Sequence, residues 1–209
     1  MRQVHEGDGV AFLARGGLGP DVAVVTSLPD VSEVGLSLDA WRAWFTDAAE
    51  LACRAVADRG VAVFYQSDVT IDGRWIDKGH LVHTGADRAG AACLFHKIVC
   101  RSPAGTPTPG RPAFSRLLAF SRELRLADPS VTPDVLPQLG AMTWKKAMGV
   151  AACEATCRFL LDHTPCRTVL DPFCGMGTML AVAEAHGMDA IGVELSPRRA
   201  ARARALQIR

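Results

Sequence analysis

Thr168-Val-Leu-Asp-Pro-Phe-Cys-Gly-Met-Gly-Thr-Met-Leu-Ala-Val-Ala-Glu184 sets the fold, because the other segments are placed by their distance from it. Thr168 to Leu170 are β-branched or apolar and suit a buried strand, which Asp171-Pro172 ends because proline cannot donate to a central ladder. Gly175 and Gly177 permit positive φ and a close backbone approach to a ligand. Thr178 opens an apolar helix whose free N–H groups face whatever the loop holds. Glu194 follows Asp171 by 23 residues, at the end of a second apolar strand, Asp189-Ala-Ile-Gly-Val-Glu194. A glycine loop with a carboxylate at that distance is the layout of a nucleoside-cofactor site, the acid accepting hydrogen bonds from a ribose diol.

The whole chain sets bounds on this reading. Its 209 residues suit one α/β domain with a single core, and 49% apolar content excludes disorder. A net charge of +1 gives no global attraction for nucleic acid, so any such contact needs a local patch. No apolar run reaches spanning length, and Met1-Arg-Gln-Val-His-Glu6 has no signal-peptide core, so the expected location is cytoplasmic, without membrane association. Seven cysteines without a secretion signal argue for reduced thiols. Cys153 and Cys157 have no accompanying Cys-x-x-Cys pair or histidine cluster, so no metal is expected. Cys174, inside the glycine loop, reads better as a small tolerated side chain than as a nucleophile.

In chain order, Gln3 to Gly9 reads as a strand and turn, Val10 to Arg15 as a short helix, and Asp21 to Ser27 as a strand apolar on both faces. Ser37 caps a long helix carrying Trp41, Trp44, Phe45, Ala48, Leu51 and Ala52 at three-and-four spacing, ended by Gly60. Val61 to Gln66 is a third buried strand, Ser67 to Trp75 a polar loop, and Asp77 to about Ala86 a short helix. Ala92–Arg101 and Phe114–Arg122 form an antiparallel pair around the proline-rich loop Ser102–Pro112. Asp128 to Gly140 is irregular, Thr143 leads a helix running to about Pro165, and Ser196-Pro197 caps a last arginine-rich helix.

Asp-Pro-Phe-Cys-Gly-Met-Gly-Thr178, followed by Ile191-Gly-Val-Glu-Leu-Ser196, resembles motif I and the next strand of the S-adenosylmethionine (SAM) dependent methyltransferases, in the aromatic-x-Gly-x-Gly form of amino-methylating DNA and RNA enzymes. Members of that superfamily usually begin with the glycine-loop strand, yet here it lies four fifths of the way along. The resemblance therefore implies a circularly permuted, doubly wound, mostly parallel sheet of seven strands with an antiparallel edge pair. The expected organisation is a single SAM-dependent methyltransferase domain over 1–209: a catalytic half 1–126, a linker 127–142 and a glycine-loop half 143–209. It also implies cofactor contacts from Asp8, Ser27, Thr143, Trp144, Asp171, Pro172, Phe173, Gly175, Gly177, Thr178 and Glu194, with Asp8 at the adenine and Trp144 over the methionine end.

Ser27-Leu-Pro-Asp30, after the second strand, is similar to the motif in which such enzymes place Asp, Asn or Ser, then Pro-Pro, then an aromatic ring. There the first residue and a proline carbonyl hold the amine, and the ring stacks on a flipped base. Leu28 replaces the first proline here, and Asp30 replaces the ring. Losing the ring removes about 1–3 kcal/mol of stacking, and an acid at that position suits a general base. Asp30, Ser27, Pro29 and Asp68 are the expected catalytic residues, although Ser-Leu-Pro-Asp is also turn chemistry. Tyr65, Gln66 and Asp68, at the end of the third buried strand, are expected to face the same crevice, with Tyr65, Trp75 and Lys78 as substrate contacts; His96 and Lys97 lie on alternating faces of an edge strand, the histidine reading as structural. Arg101, Arg111, Arg116, Arg122, Arg125, Lys145 and Lys146 would give a local phosphate-binding face. The resemblance thus implies methyl transfer to nucleic acid, with RNA, tRNA included, favoured over DNA for want of a recognition domain. The alternatives are a DNA base amino-methyltransferase, a small-molecule methyltransferase and a SAM-binding non-catalytic subunit. A second copy or a helper subunit is the expected protein partner.

Overall fold

The computed structural model describes residues 1–127 and 132–208. Their elements run β1 (Arg2–Glu6), α1 (Gly9–Ala14), β2 (Val22–Thr26), α2 (Val31–Val34), α3 (Leu38–Ala55), β3 (Ala62–Gln66), β4 (Val69–Ile71), β5 (Arg74–Ile76), α4 (Lys78–Arg88), β6 (Ala92–Cys100), β7 (Phe114–Ser121), β8 (Val135–Leu136), α5 (Val150–His163), β9 (Thr168–Asp171), α6 (Thr178–Ala185), β10 (Asp189–Glu194) and α7 (Pro197–Ala205). One sheet has the order β1-β10-β9-β2-β3-β7-β6-β8. Its first five strands are parallel, β7 runs antiparallel to β3 and β6, and β8 is parallel to β6. The glycine-loop strand β9 has β10 on one side and β2 on the other, with β1 beyond β10. The N-terminal strands therefore complete the sheet on both flanks, as the permuted order requires.

The central strands β2, β3 and β9 are buried on both faces, and alternate residues serve the two faces. Ala23, Val25, Val63 and Tyr65 pack with Cys153, Phe159 and Leu160 of α5 and Met179, Leu180 and Val182 of α6. Val22, Val24, Ala62 and Phe64 pack with Leu13 of α1, Trp41 and Phe45 of α3, and Val82 and Ala86 of α4. Trp41, Phe45, Phe64 and Phe120 are among the largest fully buried side chains. Each is a contribution of roughly 1.5–3 kcal/mol from removal of its surface from water. Helix–helix contact is close enough to need glycine: a Cβ at Gly85 of α4 would sit 2.5 Å from the Thr46 carbonyl oxygen of α3.

Three expectations are corrected. The sheet has eight strands, not seven, because the two residues of β8 pair with Ile98 and Val99, a strand too short to leave any periodicity. Ser67–Trp75 is no polar loop but the hairpin β4–β5, turning at Asp72 and Gly73, whose φ values of 49° and 72° suit a two-residue hairpin turn. The helix predicted from Thr143 starts at Val150, with Gly149 as its N-cap. A Cβ at Gly149 would lie 2.0 Å from the Leu139 carbonyl oxygen, and the Val150 and Ala151 N–H groups donate to the carbonyls of Ala141 and Leu139. The incoming chain thus takes the place of an earlier helical turn, and residues 143–148 form a lip over the sheet. Of the segment expected to be irregular from Asp128, residues 128–131 lie outside the described residues.

Candidate active site at the sheet switch point

The chain winds away from β9 in both directions, so the strand order reverses between β9 and β2, and a crevice opens beyond their carboxyl ends. Two residues tie the strands together there: Thr26 Oγ1 donates to Asp171 Oδ1 at 2.8 Å, and the Phe173 N–H donates to the same oxygen at 3.1 Å. Asp171 is buried at 2% exposure. Burial pushes its carboxyl up to about 7, with the charge of Glu194 adding to the rise and the two hydrogen bonds opposing it.

A cavity of about 470 Å³ occupies the crevice, bordered by Asp8, Ser27, Pro29, Trp144, Asp171, Pro172, Phe173, Gly175, Thr178 and Glu194 among others. Gly175 has φ 56°, and a Cβ on it would reach the Trp144 ring at 3.0 Å, so the loop lies flat beneath the indole. Asp8 caps α1 by accepting from the Ala11 N–H at 2.7 Å while bordering the cavity. Glu194 accepts on Oε1 from the Ser196 N–H at 2.8 Å and from Arg199 Nε at 2.9 Å. Among the described residues no donor falls on its Oε2.

Two residues expected at the cofactor do not border this cavity. Gly177, φ 82°, does not border the cavity; a Cβ on it would meet Ala203 Cα at 2.8 Å, so this glycine serves the contact between the loop and α7. Thr143 hydrogen-bonds through its hydroxyl to that of Thr178 and also stays outside the cavity. Cys174 is buried, and desolvation pushes its thiol well up, the opposite of an activated nucleophile.

A second cavity of about 400 Å³ adjoins the first, and Ser27, Leu28, Glu33, Lys146 and Ala147 border both. The Ser27 hydroxyl stands at this junction and makes no hydrogen bond to the described residues. The Pro29 carbonyl, expected to face an acceptor, instead accepts from the Trp41 indole N–H at 3.1 Å, which anchors the Ser27–Asp30 loop to α3. Asp30 is the N-cap of α2 and donates its own N–H to the Glu33 carboxylate at 3.0 Å. Lys78 Nζ lies 2.6 Å from Asp30 Oδ1, an ion pair by distance but off the hydrogen-bonding direction of that oxygen. One carboxylate oxygen of Asp30 is therefore covered by an ammonium, while the residue still borders the second cavity.

Of the other expected contacts, Asp68, Lys78 and Tyr65 border the second cavity, and Asp68 and Lys78 are also engaged within the protein. Lys78 is buried as the first residue of α4 and lies 5.9 Å from the centroid of the Trp41 ring. Asp68 is saturated: Oδ1 accepts from the Lys78 N–H at 2.9 Å, and Oδ2 accepts from Trp75 Nε1 at 2.9 Å and pairs with Arg116 at 3.0 Å. It ties the hairpin and α4 to β7 and has no oxygen to spare for a proton. Trp75 is spent on that bond, half exposed and outside the second cavity. Tyr65 does border it; burial pushes its phenol up, and the Ser115 hydroxyl partly offsets this. Of the seven basic residues expected on one face, Arg101, Arg111, Lys145 and Lys146 rim this cavity. Arg116 is held by Asp68 and Asp77, Arg122 by Asp58 and the end of α3, and Arg125 by nearby carbonyls. Lys97 is buried against the carbonyls of Thr132 and Pro133, and burial lowers His96.

Sequence reasoning missed Gly9, Trp44 and Arg199, while Gln66, expected with Tyr65 and Asp68 to face the crevice, borders the second cavity. A Cβ at Gly9 would fall 2.0 Å from the Pro172 carbonyl oxygen, so α1 starts against the glycine loop; the signal was the second glycine flanking Asp8. Trp44 meets Phe173 edge-on at 6.0 Å and borders the first cavity, although its helical spacing reads as core. Arg199 lies one turn into α7, beside the acid it neutralises. Among the described residues, no group of three His, Cys, Asp or Glu side chains could hold a metal ion, and no helix is long and apolar enough to cross a membrane.

A parallel sheet permuted in this way, with its crevice between the glycine-loop strand and the strand bearing Ser27, defines the fold of the SAM-dependent methyltransferases. The particular likenesses are to amino-methylating and DNA-modifying members. TTHA0409 from Thermus thermophilus, provisionally described as a DNA modification methylase, aligns over 98% of this chain and 94% of its own at TM-score 0.75 and 21% identity. The same protein complexed with S-adenosyl-L-methionine aligns over 98% and 92% at TM-score 0.74 and 20% identity. The PvuII DNA methyltransferase, cytosine-N4-specific, aligns over 97% and 85% at TM-score 0.76 and 17% identity. No family model matches the chain, and no curated protein does. The expected preference for RNA finds no support among these structures, whose names refer to DNA.

Proposed function

We propose that this protein is a SAM-dependent methyltransferase acting on an exocyclic amino group of a base in DNA. The observation that carries the reading is the Ser27 hydroxyl, unpartnered at the one place where the two cavities share a wall. The first cavity fits the cofactor. Its size lies in the range of small-molecule sites, roughly 300–1,000 Å³, and Gly175 and Trp144 form a slot that any side chain on the loop would fill. Glu194 keeps one oxygen for a ribose diol, and Phe173, Trp44 and Asp8 supply apolar and polar walls for a nucleoside. Bound there, SAM supplies a methyl carbon that leaves its sulfonium sulfur as an acceptor lone pair arrives.

The remaining work falls to the chain. Ser27 Oγ accepts an N–H from the acceptor amine and fixes the nitrogen at the junction, with the Leu28 backbone beside it; Pro29 is committed to Trp41. Positioning of this kind is the chief catalytic effect in this reading, with both Asp68 oxygens engaged and Asp30 paired with Lys78 through one oxygen. The proton released after transfer passes from the nitrogen past Ser27 into the open cavity. Tyr65 provides the aromatic wall that Asp30 does not. Arg101, Arg111, Lys145 and Lys146 take the phosphates flanking the base.

The test is transfer of labelled methyl from SAM to genomic DNA, total RNA and a small-molecule extract, by parent and Ser27→Ala. DNA is expected to be labelled, and Ser27→Ala to lose roughly 10- to 100-fold in rate with SAM affinity unchanged. Label in RNA alone, or in none of the pools, overturns the proposal.

A further inference from the structure

Gln66 ends β3 at the wall of the second cavity. It is 1% exposed, yet neither Oε1 nor Nε2 has a hydrogen-bond partner. Leaving both ends of a buried amide unpaired is a standing cost to the fold, and an apolar side chain of the same size would avoid it. The neighbouring polar groups are answered: Ser67 by Ser115, Asp68 by Trp75 and Arg116, Lys78 by Asp30. Gln66 therefore stands apart from its surroundings, a fixed donor and acceptor side by side at the end of β3, bordering the cavity that Ser27 borders from the end of the adjacent strand β2.

We infer that Gln66 is the specificity-determining residue of the acceptor site, reading an amidine edge on the bound heterocycle, an amino group and a ring nitrogen carried by one carbon; this rests on the functional reading above. The amide is the complement of that edge. Oε1 accepts one amine hydrogen while Nε2 donates to the adjacent ring nitrogen, the kind of bidentate pairing by which glutamine reads adenine. Cytosine and adenine both present such an edge away from the sugar, formed by the exocyclic amine and the pyrimidine-ring nitrogen next to it. With one amine hydrogen on Gln66 and the other on Ser27, the plane of the base is held and a face of the nitrogen is turned to the first cavity. A carbonyl in place of the amine would put an acceptor against Oε1 and the lone pairs of Ser27, which rejects thymine. The ring nitrogen is what separates this role from simple binding of an amine.

The experiment compares DNA oligonucleotides carrying cytosine or adenine with the same oligonucleotides carrying 3-deazacytosine or 1-deazaadenine, in which that ring nitrogen is a C–H. Methyl transfer is measured for parent and Gln66→Leu, with SAM affinity by calorimetry. Parent is expected to lose about 10- to 100-fold in kcat/KM on the deaza base, and Gln66→Leu the same on the natural base. Gln66→Leu on the deaza base is expected to lose no more than either alone, with SAM affinity within about twofold throughout. Parent transferring equally to natural and deaza bases overturns the inference, and needs no variant to show it. An active parent matched within about threefold by Gln66→Leu overturns it while leaving the functional proposal intact. A parent that binds SAM but labels no DNA removes both.

Discussion

Replacing Asp171 by asparagine should make the protein more stable, and increasingly so as pH rises. The carboxyl is buried between β9 and β2, and its value rises from an ordinary 3.8 to about 7. The sign follows from linkage. An acid whose folded value is raised binds its proton more tightly when folded, so nothing is lost below about 4, stability falls between about 4 and 7, and the penalty is constant above about 7. A rise of about three units corresponds to roughly 4 kcal/mol at the plateau. Asparagine keeps the Oδ1 acceptor for Thr26 and the Phe173 N–H, loses the charge, and places its amide hydrogens where Oδ2 has no donor. Urea unfolding of parent and Asp171→Asn under reducing conditions should therefore show the variant's advantage growing by about 2–3 kcal/mol between about pH 5 and pH 8. Titrating groups that do not feel the Asp171 charge cancel in the difference; Glu194, Cys153 and Cys174 do feel it. A gap constant within about 0.5 kcal/mol over that range would mean that the carboxylate is solvated through the cavity, and the account of its burial would fail.

The two loop glycines should separate. Gly177→Ala places a methyl 2.8 Å from Ala203 at φ 82°, and is expected to cost about 1–3 kcal/mol in denaturant unfolding with modest effect on SAM affinity. Gly175→Ala meets the Trp144 ring and should weaken SAM binding about tenfold or more by calorimetry; the reverse pattern refutes both placements. Asp68→Asn weakens the ion pair of buried Asp68 with half-buried Arg116 and should destabilise the fold by about 3 kcal/mol, seen as a lower melting temperature. A variant that melts like the parent but transfers no methyl group would restore Asp68 to the chemistry.

The fold was readable wherever one pattern ran long enough. Val22–Thr26, Ala62–Gln66 and Thr168–Asp171 are buried throughout because helices cover both faces, and the position of Asp171-Pro-Phe-Cys-Gly175 late in the chain forced the permuted order. Three-residue strands and a two-residue strand leave no such pattern, so β4, β5 and β8 were invisible, and the true start of α5 depends on Leu139 closing over Gly149. At the site, residue types were legible but their commitments were not. Asp30, Asp68 and Lys78 read as free chemistry because their partners, Lys78, Arg116 and Asp30, arrive from other elements. Gly177 and Gly175 look alike in sequence; only the neighbours Ala203 and Trp144 distinguish packing from the cavity wall. Gln66 was placed at the crevice by its position at the end of a buried strand, but a strand-end glutamine looks ordinary until both of its polar atoms are found buried and unanswered.

The Thr26–Asp171 hydrogen bond joins residues 145 positions apart, and the first cavity likewise takes Asp8 from one end of the sequence and Glu194 from the other. During synthesis the ribosome delivers Asp8, Ser27 and Gln66 while the glycine loop is still unmade. The acceptor half of the site is thus laid down first and waits, with β2 lacking its inner neighbour, until β9 arrives to be inserted between β2 and β10. Closing so long a loop is slow, and the first cavity cannot close before β9 and β10 are made. Added cofactor would consequently act as a clasp on a finished chain, slowing its unfolding, and would give a partly made chain no help in folding.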